Sequence, residues 1–281
     1  MKVAIVLLLL SVPHFSGGQE KQNIPDEASR AEAKRRSDEY KLLGEKAIAH
    51  ARNQVAANPD SAEMHLNLAE TLLRGPITVE GYEEVESEFL NAIQLKPDYA
   101  EAHLRLGTFY ANKDKYDKAY DAINKAISLK PDFAEAYGAL GFLYLQKKFG
   151  GGGKLPRTEE ESTRAVKAFG KAIQIKPDFF AAYFGLGEAN YYLKHYEESL
   201  KAFEQAAALR PDDITIHIGM GNVYVELGNK DAAMREHDAL SRIASSLQKA
   251  MHEQGLDSFP NIAAGYADRL LKQIRERFGE K

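Results

Sequence analysis

The chain has 281 residues, of which 44% are hydrophobic and 28% are charged, and its formal net charge is −4. This composition excludes global disorder, and the slightly acidic balance argues against nucleic acid as a partner because DNA and RNA attract strongly basic surfaces. Cysteine is absent, which excludes disulfides, thiolate metal sites and cysteine nucleophiles.

The N-terminus has the pattern of an exported protein. Lys2 precedes an unbroken apolar run at 3–10, and small residues follow at 16–18. This order is typical of a secretory signal peptide, and the run is far shorter than the ~20 residues of a membrane span. We expect a signal peptide at 1–18, a flexible leader at 19–25 and a periplasmic or secreted protein with no stable membrane anchor after cleavage. The alternative is a disordered apolar N-terminus on a cytosolic protein.

The segment at 26–57 is rich in Ala, Glu, Lys and Arg, a composition that favours a helix. We expect an interruption of this helix at Gly44. Ala47 and Ala51 are in phase with the second helix of the repeat that follows. The segment is therefore predicted to be an N-terminal capping helix.

A proline-centred turn then recurs through the chain. Proline is preceded by Asn, Lys or Arg and followed by Asp at five positions, which are Pro59, Pro97, Pro131, Pro177 and Pro211. Pro97 to Pro131 and Pro177 to Pro211 both span 34 residues, and the two other intervals are longer by short insertions. A fixed period of this length is the pattern of a repeat array.

Each period contains two amphipathic helices. In the period after Pro97, the first apolar face consists of His103, Leu106, Gly107 and Tyr110. The second face consists of Tyr116, Ala119, Ile123 and Ala126. Proline ends the second helix because it lacks an N–H group and restricts the preceding residue. The aspartates after the prolines are expected to cap the following helices, and they are Asp98, Asp132, Asp178 and Asp212.

This repeat resembles the tetratricopeptide-repeat (TPR) family, whose unit is a pair of antiparallel helices. The third unit has the family pattern in Tyr137, Leu140, Gly141, Tyr144, Ala165, Phe169, Ala172 and Pro177. The match covers roughly 62–240, although Trp is absent and Asn190 and Ser199 replace the family's Tyr and Ala in the fourth unit. The resemblance, to TPR proteins of the exported bacterial type, implies an all-α fold, an α-solenoid (α-α superhelix) of about five TPR helix pairs with N- and C-terminal capping helices.

The prolines set the expected boundaries of the solenoid. We place it at 58–245, with units at about 60–97, 98–131, 132–177, 178–211 and 212–245. A glycine-rich insertion at 149–158 does not fit a phosphate-binding loop, because Leu155 follows Lys154 where Ser or Thr is needed, and we expect a mobile loop. Residues 246–281 are predicted to form C-terminal capping helices, and the last has an apolar stripe of Ile262, Tyr266, Leu270, Ile274 and Phe278.

The sequence contains no recognisable catalytic motif. His65, His103 and His217 occupy the same repeat position in separate units, which favours core packing over a shared metal ion. We therefore expect that the chain is not an enzyme and has no catalytic residue, no metal site and no cofactor.

In TPR proteins the first helix of each unit lines the concave surface, so the resemblance implies a peptide-binding groove. By phase its residues are Leu66, Glu70, Leu104, Phe142, Leu145, Phe184, Glu188, Tyr191, Tyr192 and Ile218. Apolar side chains on such a wall are typical of an interaction site. Acidic residues at neighbouring inner positions, Glu63, Glu101 and Glu135, favour an apolar or basic segment as the partner. The alternative is that these apolar side chains contact the next helix or the cap.

The function that follows is a protein–protein interaction scaffold or adaptor that binds a peptide or protein partner in the concave groove, in the cell envelope. The alternative is an accessory or regulatory subunit of an envelope enzyme or of a secretion or pilus assembly system. Fold resemblance alone does not choose between them.

Overall fold

The computed structural model describes residues 27–76, 79–146, 158–253 and 262–279, which form twelve α-helices and no strand. The predicted all-α fold is confirmed. The signal peptide and leader expected at 1–25 lie outside the described residues, as does most of the glycine-rich insertion. No helix within the described ranges has both the length and the apolar character needed to cross a bilayer.

The helices are numbered here in chain order. They are α1 (Glu27–Ala57), α2 (Ala62–Arg74), α3 (Val79–Leu95), α4 (Ala100–Asn112), α5 (Tyr116–Leu129), α6 (Ala134–Gln146), α7 (Glu159–Ile175), α8 (Phe180–Tyr192), α9 (Tyr196–Leu209), α10 (Ile214–Glu226), α11 (Lys230–Glu253) and α12 (Ile262–Phe278).

The ten helices from α2 to α11 form five consecutive pairs, units 1 to 5. The two helices of each pair contact one another, and the second helix of each unit contacts the first helix of the next unit. From unit 2 onward, successive first helices also touch, so α4, α6, α8 and α10 line one side of the stack. This arrangement confirms the predicted α-solenoid, in which each unit buries its apolar face against its neighbours.

Close helix contact within a unit depends on glycine. A Cβ atom added at Gly141 would lie 2.7 Å from the Phe169 ring, and one added at Gly187 would lie 2.7 Å from the Phe203 ring. Both rings are almost completely buried. The missing side chain on the first helix thus makes the space that the aromatic ring on the second helix fills.

Asp98, Asp178 and Asp212 do not cap the helices that follow them, contrary to expectation. Helices α4 and α8 begin with no side-chain hydrogen bond at the capping position, which is occupied by Tyr99 and Phe179. A backbone bond closes the turn instead, since Tyr99 N donates to Lys96 O over 3.0 Å. The aspartates therefore lie one residue before the capping position. In α10 the cap is Asp213, whose Oδ1 accepts from Thr215 N at 2.9 Å.

Helix α1 runs through Gly44 without the expected interruption. The glycine lies against the turn after α2, where an added Cβ atom would be 2.7 Å from Pro76 Cδ. Further along α1, Ile48 and Ala51 are buried against α2. Tertiary contact thus outweighs the weak helix propensity of glycine at this position.

Helix α12 stands where the first helix of a sixth unit would stand, because it contacts both α10 and α11. Ala267, Leu270 and Ile274 are buried on its inner side. Its opposite face is exposed and polar, with Asp268, Lys272, Arg275 and Glu276. A polar outer face is what a terminal repeat helix requires to end a solenoid in water.

Candidate functional site

All three leucines expected on the groove are buried. Leu66, Leu104 and Leu145 are only 7%, 4% and 3% exposed. They belong to the hydrophobic clusters that join neighbouring units. The expectation that they are free to contact a partner is therefore wrong, because apolar side chains at these positions fill the space between packed helices.

Glu70 is held by the chain's own cations. Arg105 Nε lies 2.9 Å from Glu70 Oε1 and 2.7 Å from Glu101 Oε1, and Arg74 Nη2 lies 2.8 Å from Glu70 Oε2. Two further inner-wall carboxylates are paired with lysines, in the pairs Glu63–Lys96 and Glu135–Lys176. These four inner-wall carboxylates of units 1 to 3 are thus paired with cations of the protein itself.

Phe142 and Phe184 are half-buried, and each packs on a core ring of its own unit. The ring centroids of Phe142 and Phe169 are 4.9 Å apart in an edge-on arrangement, and those of Phe184 and Phe203 are 5.9 Å apart. Both phenylalanines thus belong partly to the core and partly to the inner wall. Phe184 also lines the cavity between α8, α10 and α12.

An open cavity of about 240 Å³ lies between α8, α10 and α12. It brings together five of the ten residues predicted for the groove, namely Phe184, Glu188, Tyr191, Tyr192 and Ile218. Its remaining lining residues are Phe203, Thr215, Gly219, Asn222 and Tyr266. Half of the residues predicted for the groove therefore lie together at the C-terminal end of the array.

The floor of the cavity depends on Gly219. An added Cβ atom there would lie 2.6 Å from Phe203 Cζ, so the glycine lets the Phe203 ring extend to the wall. Tyr266 closes the opposite side from α12. The sequence pattern indicated Tyr266 only as part of the cap's apolar stripe, because helical spacing does not reveal which wall a terminal helix faces.

A second cavity of about 320 Å³ adjoins the first and shares Tyr191 and Asn222 with it. Its other lining residues, mostly polar, are Val225, Glu226, Gln273, Glu276 and Arg277. Burial, together with the nearby Glu226 carboxylate, raises the pKa of Tyr191 to about 12. The Tyr191 hydroxyl is thus protonated well into the alkaline range and can donate a hydrogen bond.

His65 has a hydrogen-bond acceptor at each ring nitrogen. Its Nδ1 lies 2.5 Å from Glu88 Oε2, and its Nε2 lies 2.9 Å from the Pro59 carbonyl oxygen. Two acceptors favour a ring that carries both protons. Burial alone would lower the pKa of His65, but the hydrogen bonds to Glu88 and Pro59 outweigh burial and raise that pKa.

His217 repeats this arrangement in unit 5, with Glu236 Oε2 2.7 Å from Nδ1 and the Pro211 carbonyl oxygen 2.9 Å from Nε2. The hydrogen bond to Glu236 raises the pKa of His217 against the effect of burial. His103 contacts the Pro97 carbonyl oxygen at 3.0 Å. The three histidines join turns to helices in separate units, and no group of metal-ligating side chains occurs among the described residues.

Two protein-family models match parts of the chain. A model described as "TPR repeat" matches residues 190–228, and one described as "Tetratricopeptide repeat" matches residues 100–133. No curated protein sequence matches the chain.

Several solved structures have a similar fold. YrrB, described as a TPR protein with an unusual peptide-binding site, is 19% identical with a TM-score of 0.51, and the match covers 73% of this chain and 97% of YrrB. PilF of Pseudomonas aeruginosa is 16% identical with a TM-score of 0.56, over 77% of this chain and 94% of PilF. PilW, described as a widely conserved type IV pilus biogenesis factor, is 19% identical with a TM-score of 0.56, over 78% and 94%. Sequence identities this low show that the chain and these proteins share a fold, and no more than that.

Proposed function

Because the chain is a tetratricopeptide-repeat protein, we propose that it is a non-catalytic adaptor that holds a segment of another protein against its inner wall. The observation that carries this proposal is the cavity between α8, α10 and α12, which is lined by several aromatic side chains in part open to water. Aromatic anchors in concave, partly desolvated sites are typical of binding hot spots.

The chemistry of the wall favours a partner segment with apolar side chains. In units 1 to 3 the carboxylates that suggested a basic partner are paired with the protein's own lysines and arginines. Exposed ion pairs of this kind add little affinity for an incoming charge. We therefore place the partner's main contacts in units 4 and 5 and on α12.

The cell envelope is the proposed location. The signal-like residues at 1–18 support it, and so does the similarity in fold to PilW. The same similarity supports the alternative role, an accessory subunit of a pilus or secretion assembly system. Fractionation with an antibody to the solenoid tests the location, and we expect the protein in the envelope or secreted fraction rather than in the cytosol.

The adaptor function is tested by the double variant Tyr192→Ala, Ile218→Ser. Tyr192 is 41% exposed and Ile218 is half-buried, so the fold is expected to tolerate both changes. We expect partner capture from envelope extract, measured by quantitative mass spectrometry, to fall by about tenfold or more, which is the loss typical of a hot spot.

Tyr40→Ala is the matched control, because Tyr40 is 38% exposed and lies on α1, far along the chain from the cavity. It is expected to leave capture unchanged. Equal capture by the wild type and the double variant, with unchanged circular dichroism, would refute the proposed groove.

A further inference from the structure

Helix α1 has the sequence register of the second helix of a unit. Ala47 lies twelve residues before Pro59, the proline of the turn that follows. The residues at the same distance before the other four prolines are Val85, Ala119, Ala165 and Ser199, and all four are 0% exposed. Each of them belongs to a second helix that packs against the first helix of its own unit.

In α1 the same position is open. Ala47 is exposed, and the first buried residue along the described side chains of α1 is Ile48. The main contact of α1 is with α2, which belongs to the next unit. Helix α1 thus has a place for a first helix, and no described helix fills that place.

An apolar stripe leads up to this position. Tyr40 is 38% exposed and Leu43 is 59% exposed. With Ala47 they are spaced i, i+3 and i+7, so the three side chains lie on one side of α1 and form what we call the α1 stripe. An apolar stripe open to water on a single helix is typical of an interaction site.

The sequence directly before α1 does not suit a first helix. It contains Pro13, Gly17, Gly18 and Pro25. Proline breaks helices and glycine weakens them, so residues of these types at this spacing disfavour a helix long enough to cover the stripe. A helix on the α1 stripe is therefore expected to come from another molecule.

The charges beside the stripe make α1 complementary to a second copy of itself. Glu39 and Lys46 are seven residues apart, which places them on the same flank of the stripe. When two copies of α1 pair in opposite directions, with Tyr40 of each opposite Leu43 of the other, Glu39 of each copy lies beside Lys46 of the other. Opposite charges at such flanking positions set the orientation of paired helices.

The existing partner of Glu39 leaves room for this contact. Arg35 Nη1 lies 3.8 Å from Glu39 Oε2, and both side chains are mostly exposed. A carboxylate can accept two cations at once, as Glu70 does from Arg74 and Arg105. The pairing of Glu39 with Lys46 of a second copy therefore does not require the pair with Arg35 to break.

We propose that the protein forms a two-fold dimer in which the N-terminal halves of the two α1 helices pack in opposite directions on each other's α1 stripe. Each copy thereby supplies the helix that α1 of the other copy lacks. The length of α1 fits this role, since it has 31 residues whereas the second helices of units 1 to 4 have 14 or 17. The dimer goes beyond the proposed adaptor function and does not depend on it.

Sedimentation equilibrium of the intact protein measures the dimer. Because two half-helices make a small interface, we expect a weak dimer with a Kd of about 0.1 mM, so the measurement extends to about 0.5 mM protein. Leu43→Ser is expected to weaken the dimer by about tenfold or more, since the substituted side chain occurs twice in the interface.

Leu42→Ser is the matched control. Leu42 is 49% exposed and lies about 100° around the helix from Leu43, outside the α1 stripe. It is expected to leave the Kd unchanged. Circular dichroism checks that both serine variants keep their helices.

Charge reversal tests whether a second copy is what covers the stripe. Glu39→Lys and Lys46→Glu each place like charges opposite one another in the dimer, and each is expected to weaken self-association by about threefold or more. An equimolar mixture of the two variants restores both pairs of opposite charges. The mixture is expected to form a heterodimer about as tightly as the wild type forms its dimer.

Three results would overturn the inference: a wild type that stays monomeric at the highest concentration, equal effects of Leu43→Ser and Leu42→Ser, or a mixture of charge variants that associates no better than either variant alone. A monomeric wild type would assign the α1 stripe to a helix of a different protein. The adaptor function is tested separately, because the cavity is lined by residues of one copy. Tyr40→Ala is thus expected to weaken the dimer and still to leave partner capture unchanged.

Discussion

The turn between the two helices of a unit contains one residue with a left-handed backbone. Asp114, Lys194 and Gly228 occupy the same place in units 2, 4 and 5, and their φ angles are 56°, 61° and 72°. Only glycine adopts this conformation without steric cost, and the cost for other residues is about 1–2 kcal/mol. Unit 5 has glycine at this position, which suits the left-handed backbone, whereas unit 4 has Lys194.

Lys194→Gly is therefore expected to stabilise the protein by about 1 kcal/mol, because it relieves this strain at an exposed position. The urea midpoint of unfolding, followed by circular dichroism, measures the change. Gly228→Ala makes the reverse change in unit 5 and is expected to lower the midpoint. A lower midpoint for Lys194→Gly would show that the lysine side chain has a stabilising contact that outweighs the strain.

At the same scale, the sequence predicted the face of a residue better than its depth. Leu104 and Tyr191 both lie on the inner side of a first helix, yet Leu104 is buried and Tyr191 lines a cavity. Helical spacing gives direction around the axis. It does not give the distance to the neighbouring helix, which decides whether a side chain remains accessible.

At the scale of the helix, glycine has opposite effects on stability at two positions. Gly187 of α8 lies against the buried ring of Phe203, whereas Gly170 of α7 has no atom within 4 Å of an added Cβ. Glycine at the first position is needed for packing. At the second it only weakens the helix, since it lowers helix propensity with no packing benefit.

Gly187→Ala is expected to destabilise the protein by about 1–3 kcal/mol, because the new methyl group overlaps a ring that is only 2% exposed. Gly170→Ala, the matched change, is expected to stabilise it by about 0.5–1 kcal/mol. Thermal and urea unfolding of the two variants measure both effects. A stabilising Gly187→Ala would mean that α8 and α9 separate at little cost.

The positions of the helices could be predicted from the prolines and the apolar spacing, because both reflect local backbone geometry. The predictions that were wrong concerned features that depend on tertiary contacts or on a one-residue shift in register. Gly44 does not interrupt α1, since Pro76 packs against it. The capping role expected for Asp212 belongs to Asp213, because the turn is one residue longer than assumed.

Across the whole molecule, protonated histidines are favoured in the two end units. His65 of unit 1 and His217 of unit 5 each lie between a proline carbonyl and a glutamate. Unit 2 has Ala122 at the corresponding position, so His103 has no such glutamate beside it. End units of a solenoid have fewer neighbours and fray first.

The pH dependence of the end units has a definite sign. The pKa values of His65 and His217 are raised above the unfolded value of about 6.5. Their contribution to stability is therefore complete below pH ~6.5 and is lost as the pH rises through the raised folded pKa values. Hydrogen exchange is expected to show that units 1 and 5 lose protection between acidic and mildly alkaline pH, while unit 3 does not.

Glu88→Gln and Glu236→Gln each remove one carboxylate partner and are expected to abolish the extra pH dependence in their own unit. His103→Gln serves as the control and is expected to leave it unchanged. Equal loss of protection in all five units would point to a cause other than the two histidines.

The cavity is formed by helices that are distant in sequence, so only half of its lining residues could be predicted from the repeat pattern. Phe184 and Ile218 come from neighbouring units, and their repeat phase placed them on one wall. Tyr266 comes from α12, outside the repeat, and no period fixes its position. Contacts between the array and its cap cannot be derived from the pattern of the array.

The cavity is lined by residues of α8, α9, α10 and α12, and none of them comes from units 1 to 3, so the proposed binding element does not depend on those units. A consensus unit spliced between α5 and α6 would lengthen the superhelix while leaving the binding pocket intact. Conversely, if the proposed function is correct, residues 178–279 grafted onto the end of an unrelated repeat array are expected to bring partner binding with them. On the proposed function, units 1 to 3 would set the length of the array, while units 4 and 5 with α12 would bind the partner.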